Sequence, residues 1–75
     1  MRYEWMGIDY INREVWLRDA TLDLITAGGD IPDAEVVRML SREELVAAVQ
    51  EQLEGTAREE AEAALAWAWE NVREE

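Results

Sequence analysis

The chain is predicted to fold as an all-α protein, a small compact bundle of three longer helices and one short helix, with a short extended N-terminal arm. One helical domain is expected over residues 1–75. Three observations predict this. Apolar residues recur at helical spacing over most of the chain, which gathers them on one side of each segment. Ser41 with Glu44, and Thr56 with Glu59, have the spacing of capping boxes, in which side chain and backbone satisfy each other's exposed donors. The glycines and the single proline fall mostly between the periodic segments, where helices stop and start.

Residues 1–8 alternate Tyr3, Trp5 and Gly7 with Glu4, Met6 and Ile8, a pattern that suits an extended arm better than a leading helical turn. The first helix is expected from about Asp9 or Tyr10 to Ala27, with Gly28-Gly29 as its left-handed stop. Pro32, in a first turn, sets a short second helix to about Leu40. The third runs from its cap at Ser41 to about Glu54 and stops at Gly55. The fourth starts at Thr56 and continues to about Val72 or Arg73.

The faces of these helices differ. The third carries one narrow apolar stripe, Leu45, Val46, Val49 and Leu53, opposite Glu43, Glu44, Glu51 and Glu54. The fourth is lined by Ala57, Ala61, Ala64, Leu65, Ala68 and Val72, so a neighbouring helix can approach closely. Trp67 and Trp69 flank that stripe on opposite sides, and Trp67 is the one expected at the edge of the core or in an interface. The first helix has two apolar faces. Trp16, Leu17, Ala20, Leu24 and Ala27 form one; Ile11, Val15, Leu22 and Ile25 form the other. Between them lies a polar seam of Asn12, Asp19, Asp23 and Thr26. Such a helix is expected at the centre of the bundle, with a homodimer or partner interface as the alternative.

Composition narrows the chemistry. The chain has no histidine and no cysteine, and its seven basic residues are all arginine, set against eighteen acidic ones for a net charge of −11. Without histidine there is no side chain that ordinarily titrates near neutrality. Without cysteine there is no thiolate nucleophile, and without lysine no Schiff base. Paired carboxylates such as Asp19 with Asp23, or Glu59 with Glu62, read as solvated helix faces. Gly28–Asp33 does not match a calcium loop. No catalytic residue, cofactor or metal is expected, and the protein is read as non-enzymatic.

Charge also bears on partners. Residues 33–54 have the outline of a helix-turn-helix, yet Asp33, Glu35, Glu43, Glu44, Glu51 and Glu54 face only Arg38 and Arg42. Nucleic-acid binders neutralise phosphates with basic side chains, so direct nucleic-acid binding is not expected, nor is membrane binding. The N-terminus lacks an apolar leader, and the apolar runs fall short of the ~20 residues that span a bilayer. A cytoplasmic protein is expected.

The functional expectation is a small acidic protein that binds another protein with a basic surface, of inhibitor, antitoxin or adaptor type. Trp16 and Trp67 would be its aromatic anchors, because tryptophan is enriched at binding hot spots. Glu51, Glu54, Glu59, Glu62 and Glu70 would steer the approach. Two alternatives fit the same residues. One is a de novo designed or engineered bundle without a natural partner, suggested by the capping boxes and glycine stops. The other is a nucleic-acid mimic that inhibits a DNA- or RNA-binding protein, suggested by the glutamate stripes.

Overall fold

Tyr3, Trp5 and Tyr10 share one side of an antiparallel hairpin, and their rings turn toward the helices. The structure, a computed structural model, describes residues 3–29, 31–35 and 41–72. Strand β1 (Tyr3–Trp5) pairs with β2 (Ile8–Tyr10) in the register Tyr3 with Tyr10, Glu4 with Asp9 and Trp5 with Ile8. Met6 and Gly7 form the turn, with φ of 52° and 81°. Two consecutive positive φ values mark the tight turn whose twist matches that of the strands it joins. The expected extended arm is therefore one strand of a hairpin, and the all-α reading is corrected: a two-stranded sheet precedes the helices.

Asp9 and Tyr10, expected to begin the first helix, belong to β2. Helix α1 (Arg13–Thr26) starts later, at Asn12, whose Oδ1 accepts from the N–H groups of Glu14 at 2.8 Å and Val15 at 3.3 Å. An Asx cap of this kind satisfies donors that the first helical turn leaves open. The helix ends with Ala27 and Gly28 both left-handed, at φ 52° and 85°, so the stop begins one residue before the expected Gly28-Gly29. Thr21 and Thr26 are buried on this helix, and their hydroxyls donate to the carbonyls of Leu17 and Leu22 one turn back.

Helix α2 (Arg42–Gln52) has the predicted capping box: the Glu44 N–H donates to Ser41 Oγ, and the Ser41 N–H donates to Glu44 Oε1. Helix α3 (Arg58–Asn71) departs from its prediction by one residue. Its cap is Ala57, whose N–H donates to Glu60 Oε1 at 3.1 Å. Alanine has no oxygen to return the bond, so only half of a capping box exists. The Thr56 hydroxyl, expected to cap, is instead buried without a hydrogen-bond partner among the described residues. The slip follows from Glu60 rather than Glu59 being drawn toward Arg13 on α1.

The predicted short helix at about Pro32 to Leu40 lies largely on residues 36–40, outside the described residues. Ala34 and Glu35, within that span, are helical, and the helices described in full are three.

Helix α3 lies between the other two helices, pairing with α1 and with α2, while α1 lies between α3 and the hairpin. Ala61, Ala64 and Ala68 are 0–3% exposed, so backbones meet closely along that stripe. Leu17, Ala20 and Ile25 of α1, Leu45, Val46 and Val49 of α2, and Leu53 and Leu65 complete the core. The other side of α1 holds the hairpin. Its second apolar face is split, with Ile25 fully buried, while Val15 on the helix and Ile11 just ahead of it are exposed. Among the described residues no helix is long and apolar enough to cross a membrane.

Candidate functional site

An open groove of about 520 Å³ runs between β1 and the C-terminal end of α2. Tyr3 and Glu4 line it from the strand, and Arg13 and Trp16 from the first turns of α1. Glu51, Gln52, Glu54 and Gly55 line it from the far side. Gly55 has φ 84°, a left-handed conformation that turns the chain sharply after α2 and brings Glu54 to the rim.

Each wall has a local cause. The Tyr3 and Trp16 rings lie 5.2 Å apart between centroids, inclined by 39°, within the range of favourable aromatic pairs. The Trp16 indole N–H donates to the backbone oxygen of Glu4 at 3.0 Å, which anchors the strand to the helix. One residue on, the Trp5 indole N–H donates to Asp23 Oδ2, also at 3.0 Å. The polar seam foreseen on the first helix thus has a use within the chain, since its aspartates receive the hairpin. Tyr10 joins in from β2. Its hydroxyl titrates above the usual value of about 10, first because it is partly buried, then because the Asp19 carboxylate repels a phenolate and accepts the phenol's hydrogen bond, with Asp23 adding further repulsion.

Three carboxylates, those of Glu4, Glu51 and Glu54, therefore border the groove, all on exposed residues. Its one described cation is already engaged. Both terminal guanidinium nitrogens of Arg13, Nη1 and Nη2, donate to the Glu60 carboxylate, and Nη2 also donates to the Gly55 oxygen at 3.1 Å. A fork-to-carboxylate pair is the strong form of such a contact. It neutralises Arg13 and leaves the glutamates of the groove without a described cation to pair with. Among the described residues no three acidic side chains converge closely enough to hold a metal ion.

Of the residues selected from the sequence, the fold brings Trp16, Glu51 and Glu54 into this one groove. Trp16 is only 7% exposed and forms the inner wall of the groove. Trp67 lies elsewhere, half-buried beneath the Arg18 guanidinium at 5.4 Å, and Arg18 also pairs with Glu14 at 2.6 Å. Trp69 is the more exposed of the two neighbours, at 40%, the reverse of the expected order. Glu62 is engaged by Arg58 at 3.6 Å, while Glu59 and Glu70 are exposed on α3 away from the groove. Tyr3 and Glu4 were not anticipated, because their role depends on a hairpin that helix-oriented reading did not reveal. The near-mirror order Tyr3, Trp5, Met6-Gly7, Ile8, Tyr10 was its available signal.

Neither family models, curated proteins nor solved structures yielded a match to this chain.

Proposed function

We propose that this protein is a non-enzymatic binding module that receives a basic segment of another protein in the groove between β1 and α2. The observation that carries the reading is the make-up of that groove: the Glu4, Glu51 and Glu54 carboxylates beside the Tyr3 and Trp16 rings, with Arg13 already neutralised by Glu60. An arginine or lysine of the partner would meet carboxylates at the rim and an aromatic ring at the wall. Cation–π contact at such a partly exposed place contributes roughly 0.5–1 kcal/mol. The net charge of −11 draws a basic partner in from a distance and repels nucleic acid. Exposed charges of this kind govern association rate and specificity more than depth of affinity.

The test is a calorimetric titration with nona-arginine at low and at high salt, on the native protein and on a Glu51→Gln, Glu54→Gln variant. Binding that weakens with salt and drops sharply in the variant is the expected result. Absence of binding at low salt, or equal binding by the variant, overturns the proposal.

A further inference from the structure

We infer that Asp23, which lies outside the groove, is a positioning residue for its ligand. It holds the strand that forms one wall. The inference rests on the reading that the groove receives a basic segment.

The strand bearing Tyr3 and Glu4 is three residues long and pairs only with β2 among the described residues. An isolated two-stranded hairpin is marginal in water, so its place on α1 depends on the side chains that tie it there. Two ties reach β1 through indole nitrogens: Trp16 to the Glu4 oxygen and Trp5 to Asp23 Oδ2, each 3.0 Å long. On β2, Tyr10 sits beside the Asp19 carboxylate. Asp23 borders a different, smaller hollow of about 200 Å³ with Asp19, Leu22 and Gly28, and contributes nothing to the lining of the groove. Its carboxylate nevertheless fixes Trp5, and Trp5 adjoins Glu4 in the strand. Releasing that bond frees the end of β1 next to the turn. Glu4 and Tyr3 then lose their fixed distance from Glu51 and Glu54 across the groove. Ligand affinity thereby becomes coupled to a hydrogen bond that the ligand never touches.

The experiment compares Asp23→Ala with Asp23→Asn. Both variants carry the same net charge, one unit less negative than the native −11, so long-range attraction of a basic ligand is equal in the two. They differ in that the asparagine oxygen can still accept the Trp5 N–H. Affinity for nona-arginine is expected to fall about tenfold in Asp23→Ala and to stay within about twofold of native in Asp23→Asn, the scale set by one hydrogen bond to a charged group. In the absence of peptide, exchange of the Trp16 indole N–H should quicken in Asp23→Ala and not in Asp23→Asn, while the helical circular dichroism is unchanged. Trp5→Phe, which keeps a ring and loses the donor, provides the same comparison if Asp23→Ala loses helicity. Equal affinities in the two variants, or an unchanged Trp16 exchange rate, overturn the positioning role and leave the proposed function standing. A native protein that does not bind the peptide overturns both.

Discussion

Trp16 donates its indole N–H to the backbone oxygen of Glu4 at 3.0 Å, linking the first turn of α1 to the middle of β1. In an antiparallel pair the residues alternate between those whose backbone groups face the partner strand and those whose groups face outward. Here the Glu4 oxygen is met by a side chain of the helix beneath, and the same indole packs against Tyr3. One tryptophan thus satisfies a strand edge, buries its ring, and sets the depth of the acidic groove.

The Met6-Gly7 turn places a side chain where asparagine is the usual choice. Left-handed backbone costs a residue with a Cβ roughly 1–2 kcal/mol, and asparagine tolerates it better. Met6→Asn should therefore raise stability by about 0.5–1 kcal/mol in urea unfolding, with Met6 being 77% exposed and losing little by its removal. Destabilisation would show that the methionine makes a contact the hairpin needs.

Ala27 closes α1 at φ 52°, again left-handed. Ala27→Gly should stabilise the protein by up to about 1 kcal/mol, since glycine adopts this conformation without steric penalty. The unfolded chain gains some entropy from the glycine, which limits the benefit. A shift of the thermal midpoint upward is the expected reading, and a fall would refute the strain argument.

The two tryptophans of α3, separated by Ala68, should differ in mutational cost. Trp67 packs against the core under Arg18, whereas Trp69 is 40% exposed. Trp67→Ala is expected to cost about 2 kcal/mol, less than a fully buried aromatic. Trp69→Ala should cost under about 1 kcal/mol. The reverse order in chemical denaturation would mean that Trp69 has a stabilising contact in solution.

Alkaline pH should act through Tyr10. Its folded-state pKa is raised above the unfolded value of about 10, by burial first and by Asp19 second. A raised value means that the fold favours the neutral phenol. This contribution is fully present below the unfolded pKa and is lost as pH climbs through the folded one. Stability should thus decline above about pH 10, and Tyr10→Phe should make that decline shallower while losing the bond to Asp19. Identical pH profiles for the two proteins would remove Tyr10 as the cause.

How much of this was legible beforehand varies by element. The capping box at Ser41 and Glu44 could be read directly, because both partners lie within one turn and no distant group competes for them. The equally plausible box at Thr56 and Glu59 could not. Arg13, more than forty residues earlier, binds Glu60 and the Gly55 oxygen, and the helix begins one residue later to suit. Glu51 and Glu54 were recognisable as exposed carboxylates from their helical spacing. That they share a groove with Trp16 was not, since this depends on where β1 comes to rest.

By itself the sequence determined the three long helices, to within a few residues at their ends, and the alanine face along which α3 packs. It also settled the acidity and the absence of histidine, cysteine and lysine. These follow from spacing, caps and composition, which act over a turn or two of chain or require no geometry at all. Tertiary structure alone decided that the N-terminal residues pair as a hairpin, that α1 lies between this hairpin and α3, and that Asp23 and Glu4 receive indole donors. A hairpin this short gains its stability from the surface it lands on. The aromatic side chains that hold it are recognised only once α1 has presented its aspartates to them.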